Sequence, residues 1–431
     1  MIFHKTLYNI RKKHGYTIEE FAELLGYPAE YIVALECNKE PVTFAFAVKL
    51  IEKLNLHDAP ITQDARDKLM EKLHTWKLQI DHGLLDEATE LKPEVQKGAM
   101  SSYSPSTETF YYLHSADYYR LANDMKVYEE IMTLLSQRAD AFINAKHKYY
   151  YNRLVGARAF VEKRINEAIK AYEAAIALDK NKELHDVRIY LGLAMSLSDS
   201  GFASKALEYY KEAKQLAEKS IVYGNKPNSR YDVYIDGYMA SDLSKLGRSS
   251  EALGMLKNRL GIEKKKGSKV GIGYTHFSFG RVYGKIGDYD KAIKNFDMAL
   301  GYLDKGSDVY IACVYKKASL LVDNNQIAEA VKVAEIGMSI TTDERWTTML
   351  DALKHSVSLE DNPDSATYLK ETIIPKLLEF RENETVAYCY KKLSEFYYEH
   401  SSPEVAHKYC YLALEMQIKI RKELTERDIL L

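Results

Sequence analysis

Residues 280–300 read GRVYGKIGDYDKAIKNFDMAL, and this stretch decides the fold. Gly287-Asp288 is a tight-turn signal between two runs whose apolar and small residues recur at helical spacing. Tyr283, Ile286, Ala292, Phe296 and Ala299 fall where two antiparallel helices would touch, with alanine at the closest crossing. Neither helix can bury that face alone, so the unit needs copies of itself on either side.

The copies are present. Aligned on the small residue of the second helix they are Ala168 in NEAIKAYEAAI, Ala206 in SKALEYYKEAK, Ala252 in SEALGMLKNRL, Ala292, Ala330 in AEAVKVAEIGM and Ala406 in PEVAHKYCYLAL. Successive positions differ by 38, 46, 40, 38 and 76, the last being twice 38. Tyr172, Tyr210, Leu256, Phe296 and Cys410 sit four places after these alanines. The pattern resembles the tetratricopeptide repeat in an enlarged form. Trp346–Phe380, carrying Pro363 and Pro375, fills the missing period as a degenerate copy.

The 431 residues suffice for a small domain plus a solenoid. Lys+Arg 60 nearly balances Asp+Glu 62, so no overall charge advertises nucleic acid. Nine prolines and 21 glycines are few, as expected of an all-α chain. The N-terminal MIFHKTLYNIRKKHGY has no uninterrupted apolar core, and no stretch approaches the ~20 apolar residues that span a bilayer, so the expected location is the cytoplasm. Cys37, Cys313, Cys389 and Cys410 lack metal spacing, and Cys389 and Cys410 are expected as buried thiols of the last repeat.

The first 57 residues break into short helices. Ile2–Lys13 ends at Gly15; Thr17 and Glu20 form a capping box; Pro28 opens AEYIVALE at its first position; Thr43 caps FAFAVKLIEKLN. Arg11, the TIEEFA segment, Gly26, Ile32, Leu35–Glu36 and Pro41 resemble a five-helix lambda-repressor/Cro-like helix-turn-helix. That resemblance implies that Pro28–Glu36 enters the major groove. Candidate DNA contacts are Arg11, Lys12, Lys13, Thr17, Ala29, Glu30, Tyr31 and Lys39. The recognition positions Ala29, Glu30, Tyr31, Val33 and Ala34 carry no cation, and Ile18 stands where that family commonly has Gln. Lys and Arg at 5, 11, 12, 13, 39, 49 and 53 are matched by Glu at 19, 20, 23, 30, 36, 40 and 52. A module that no longer binds DNA is therefore the competing reading.

Residues 58–98 are expected as a joint at LHDAPITQDA followed by a Trp76-containing hairpin turned at His82-Gly83. SSYSPSTET at 101–109 reads as a polar loop, then Phe110–Ala122 and Val127–Phe142 as a helix pair without the alanine signature. Residues 99–431 form the repeat domain, a right-handed solenoid. This order, with KLHTWKLQI, YYYNRLVGARAFVEKRINEAIKAYEAAI and AYCYKKLSEFYYEHSSPEVAHKYCYLAL, resembles the RRNPP family of peptide-sensing regulators, in particular its longer NprR and Rap members. The resemblance implies an imported oligopeptide in a concave groove, coupled to DNA binding or to capture of a protein partner.

Projecting from the alanines, the first helix of each pair offers Tyr150, Arg153, Arg188, Leu191, Met195, Tyr234, Ser241, Asp242, Tyr274, Phe277, Ser278 and Arg281 to that groove. Tyr315, Lys316, Ser319, Tyr388, Lys391, Lys392 and Glu395 follow. Aromatic faces interleaved with Arg and Lys suit an extended peptide. The family's inner-helix asparagines are replaced here by Ser278 and, nearby, Asp242. No HExxH, P-loop, GxSxG or paired CxxC appears; Gly271-Ile-Gly273 does not complete GxGxxG and reads as a loop. Rap members that act as phosphatases use a glutamine near the loop corresponding to 100–109, and SSYSPSTET has none. The sequence thus predicts no enzyme, cofactor or metal site. It predicts a homodimeric, peptide-responsive transcriptional regulator, with a Rap-like adaptor as the alternative.

Overall fold

Gly287 turns the chain with φ +81° in the computed structural model, and Asp288 caps the helix that follows. The model describes residues 2–37, 39–40, 43, 46, 49–50, 53–54, 63–101, 105–139, 142, 144–179, 184, 186–219, 229–400 and 402–425. Among these, every regular element is a helix. They fall into two compact units, residues 1–154 and 155–431.

The first unit begins with α1 (Ile2–Lys13), α2 (Ile18–Leu25) and α3 (Ala29–Glu36). Thr17 and Glu20 form the expected reciprocal box: the Glu20 amide donates to Thr17 Oγ1 at 3.2 Å, and the Thr17 amide to Glu20 Oε2 at 2.8 Å. Gly26, at φ +65°, ends α2, and Pro28 caps α3 rather than lying inside it. Leu7, Ile10, Phe21, Leu25, Ile32, Leu35, Phe46 and Leu50 close the core. Phe46 donates its amide to Thr43 Oγ1, as expected of a cap, but most of the last predicted helix and the joint at 55–62 lie outside the described residues.

The hairpin α4 (Gln63–His82) and α5 (Leu85–Ser101) turns at Gly83. Trp76 is fully buried, donates Nε1 to the Ala88 carbonyl at 2.8 Å and stacks on Tyr111. Next come α6 (Pro105–Leu121) and α7 (Met125–Arg138), then α8 (Ala145–Val161). The polar loop expected at 101–109 is shorter than predicted, because Pro105 already starts a helix, a position proline favours.

The second unit contains the rest of the repeats. Its helix pairs are α9 (Ile165–Leu178), partner of the end of α8; α10 (Val187–Asp199) and α11 (Ala203–Lys219); α12 (Ser229–Lys245) and α13 (Ser249–Lys266). They continue with α14 (Lys269–Lys285) and α15 (Tyr289–Tyr302), then α16 (Asp308–Asp323) and α17 (Ile327–Ile340). The degenerate copy is α18 (Glu344–Val357) paired with α19 (Asp364–Tyr368), a π turn at Leu369–Ile373 and α20 (Ile374–Glu379). The last pair is α21 (Asn383–Glu399) and α22 (Pro403–Thr425).

One backbone signature marks the repeat more regularly than the alanines. The turn inside successive pairs places Asn123, Lys163, Gly201, Gly247, Gly287 and Asn325 in the left-handed region. Five residues after the last five of these come Ala168, Ala206, Ala252, Ala292 and Ala330, all fully buried. Five after Asn123 comes Tyr128, a buried ring in the alanine position, which is why α6–α7 shows no alanine signature. Close helix contact also needs Gly280: a Cβ there would meet Phe296 Cε1 at 2.5 Å, so the ring lies against bare backbone.

Three expectations about packing are corrected. Ile286 is 47% exposed, because it caps α14 and points away from the crossing. Gly271-Ile-Gly273 is helical, inside α14. Cys389 is buried but Cys410 is exposed; Tyr409 turns inward in its place and stacks on Tyr397.

A cavity lined by the first helices of the repeats

In the second unit the first helices present one face each to a common cavity of about 640 Å³. On α12 the face is Val233, Tyr234, Gly237, Tyr238 and Lys245; on α14 it is Tyr274, Phe277, Ser278 and Arg281. These spacings of three and four are one side of an α-helix. α16 contributes Tyr315, Lys316 and Ser319, α18 Arg345, Trp346 and Met349, and α21 Glu384, Thr385 and Tyr388. Gly237 lets α12 and α14 approach, since a Cβ there would lie 2.5 Å from Ser278 Oγ.

The wall is largely aromatic. Tyr234 meets Tyr274 edge-on at 4.4 Å, Tyr210 of α11 stacks on Tyr238 at 6.1 Å, and Tyr315 tilts against Trp346 at 6.0 Å. Three polar atoms of this wall are buried and without a hydrogen-bond partner: Tyr210 Oη, Tyr388 Oη and Trp346 Nε1. Burial pushes the Tyr210 and Tyr388 hydroxyls up, so both remain protonated donors at neutral pH. Burial likewise pushes the Tyr315 hydroxyl up to about 12.

Charges are set among the rings. The Arg281 guanidinium lies over Tyr238 and Phe277, 5.9 and 5.8 Å from their centroids, and donates to Ser241 Oγ at 2.8 Å. Lys245 pairs with Asp242 Oδ1 at 2.8 Å and donates to Ser198 Oγ at 2.7 Å. Arg345 pairs with Glu382 at 3.3 Å. Lys316 extends into the cavity; burial, then Arg281, lowers its pKa, against the pull of Glu384. Asp199 is raised by burial, against the nearby cations Lys163 and Lys245.

The comparisons with known proteins fit this architecture. A helix-turn-helix family model matches residues 7–60. The transcriptional activator NprA of Geobacillus stearothermophilus is 22% identical over 403 residues, 88% of this chain and 93% of its own length. A Rap protein complexed with competence and sporulation factor superposes with a TM-score of 0.66 at 14% identity, covering 83% of this chain and 99% of that one. NprR in complex with its cognate peptide NprX superposes with a TM-score of 0.57 at 17% identity, again over 83% and 99%. The chain is thus similar to peptide-sensing regulators of the RRNPP type over most of its length and shares their fold.

Of the groove residues expected from sequence, Met195, Tyr234, Tyr274, Phe277, Ser278, Arg281, Tyr315, Lys316, Ser319 and Tyr388 line the cavity. Others do not. Arg153 is fully buried in the first unit in a two-pronged ion pair with Asp117, and Tyr150 packs beside it in a ring cluster with Phe110 and His114. Arg188 folds back on Asp186, the cap of its own helix. Asp242 is turned away from the lining and accepts from Ser198 and Lys245. Lys391 is exposed and pairs with Glu395. Sequence projection missed Lys163, Asp199, Tyr210, Tyr238 and Trp346. Tyr238 could have been found, one helical turn after Tyr234; Lys163 and Tyr210 lie on a turn and a second helix, where no first-helix rule reaches.

In the helix-turn-helix, Arg11 is a correction. Its guanidinium grips Glu36 with Nε–Oε1 2.7 Å and Nη2–Oε2 2.8 Å, and both side chains are buried, so it is spent inside the domain. Lys12, Lys13, Thr17, Glu30 and Lys39 are exposed, and Ala29 is half-buried. Tyr31 is half-buried too, stacked on Tyr27 at 5.3 Å and edge-on to Phe46.

Proposed function

We propose that the repeat domain is the receptor for a short extended peptide and that its occupancy controls DNA binding by the N-terminal domain. The chain then acts as a quorum-sensing transcriptional regulator. The observation that carries the receptor reading is the cavity wall itself. Aromatic rings from successive repeats suit the side chains of an extended guest, and the Lys and Arg side chains set among them suit its polar groups. The relatives solved with bound peptides, NprR with NprX and the Rap protein with its factor, support the same reading.

The DNA arm rests on the helix-turn-helix match and the activator relative. We read the protein as a cytoplasmic homodimer that reads two half-sites. Among the described residues no helix is long and apolar enough to cross a membrane. Sequestration of Arg11, together with the cation-free face of α3, favours the second reading, an adaptor that captures a protein under peptide control. A mobility shift of the full chain on DNA flanking its own gene, at two salt concentrations, separates them. The regulator gives a sequence-specific complex that weakens with salt and is lost in Lys12→Glu. Absence of any complex, with or without peptide, leaves only the adaptor.

A further inference from the structure

We propose that the guest of this cavity presents a carboxylate to Lys163, Arg281 and Lys316, so the receptor selects acidic peptides. The inference rests on the peptide-receptor reading above and specifies its ligand. All three cations line the cavity, from three different repeats. No ion pair joins any of them to a carboxylate of the described residues, within 4.0 Å. Arg281 donates only to the neutral Ser241 hydroxyl, and Arg281 and Lys163 stand close enough to Lys316 to disfavour its charged form. The carboxylates of the lining are Asp199, Asp308, Glu382 and Glu384, of which Glu382 is taken up by Arg345. Lys245 is taken up by Asp242. Asp199, Asp308 and Glu384 match the three cations in number, but none comes within 4.0 Å of them, so a guest carboxylate at hydrogen-bond distance supplies the direct partner they lack.

The backbone at Lys163 supplies an independent observation. Lys163 adopts φ +57°, in the turn where the next three repeats have Gly201, Gly247 and Gly287. A left-handed conformation favours glycine, and lysine holds it at a cost. Strain of this kind is retained where the side chain serves a purpose, and here the side chain reaches the cavity lining.

The test uses the full chain and three pools of N-acetylated hexapeptides randomised over neutral residues. One pool is amidated at the C-terminus, one is amidated and carries a single Asp at varied positions, and one has a free C-terminal carboxylate. Retained peptide is measured by mass spectrometry after gel filtration. One acidic pool should be retained about tenfold over the neutral pool. Which of the two wins distinguishes a side-chain carboxylate from a chain terminus. The preference should vanish in Lys316→Met and in Lys163→Gly, and Lys163→Gly should also unfold about 2 °C higher than the parent. Equal retention of all three pools overturns the carboxylate inference and leaves a peptide receptor standing. Retention of none removes both. An acid preference that survives both variants overturns its assignment to these residues.

Discussion

Tyr210→Phe isolates the cost of one unsatisfied hydroxyl buried in the cavity wall. Tyr210 is fully buried, its ring stacks on Tyr238 with 5° between the planes, and its hydroxyl has no partner. Phenylalanine keeps the ring and its contacts and removes only the unsatisfied group, whose burial costs about 1–3 kcal/mol. The variant should therefore be more stable than the parent by about 1 kcal/mol, a rise of about 2 °C in a unit of this size. The same substitution should leave peptide retention within about twofold of the parent, because the buried hydroxyl offers no surface to a guest. Tyr368→Phe is the control: its hydroxyl donates to Asp351 Oδ2 at 3.0 Å, so its loss should destabilise by about 0.5–1.5 kcal/mol. Differential scanning calorimetry and peptide retention on both variants decide the matter. A fall in the Tyr210→Phe midpoint would refute the reasoning, since it would show that the hydroxyl is satisfied within the protein.

Other outcomes follow from the packing. Gly280→Ala places a methyl 2.5 Å from Phe296 Cε1 and should cost about 1–3 kcal/mol by thermal unfolding, with recovery in Gly280→Ala/Phe296→Leu. Arg11→Met leaves the Glu36 carboxylate buried and unpaired and should cost about 3–5 kcal/mol; circular dichroism of the full chain should show a new low-temperature transition. His276 is buried, accepts no second partner at Nε2, and has its pKa lowered by burial. The unfolded chain therefore binds the proton more readily, so stability present above about pH 6.5 is lost as the pH falls through the folded value. His276→Gln should flatten that part of the pH dependence of denaturant midpoints between pH 7 and 5.

The repeats were legible because their constraint is local. Alanine at the helix crossing and glycine or asparagine in the turn are demanded by contacts within one pair, and Gly287-Asp288 declares both within a few residues. The cavity was legible only where a first-helix face carries it, as at Tyr274, Phe277 and Arg281. Arg153 and Asp242 show the limit. A charge on the expected face enters the groove only if nothing nearer takes it, and Asp117, 36 residues away from Arg153, is invisible to any periodicity. Cys410 shows another: α22 is a terminal helix without a following repeat among the described residues, so one side of it meets solvent, and Tyr409 rather than its neighbour faces the core. Lys163 escaped notice for a different reason, since it stands in a turn where the following repeats have glycine or asparagine, outside any helix face.

The account stands on coupling between the cavity and the DNA-binding domain, and coupling free energy is reciprocal. The most direct measurement is the peptide dissociation constant of the full chain, read by titration calorimetry with and without saturating operator DNA. Peptide affinity should change by the same factor by which peptide changes operator affinity. A peptide dissociation constant that is unmoved by operator would contradict the claim that one chain senses with its repeats and answers with its helix-turn-helix.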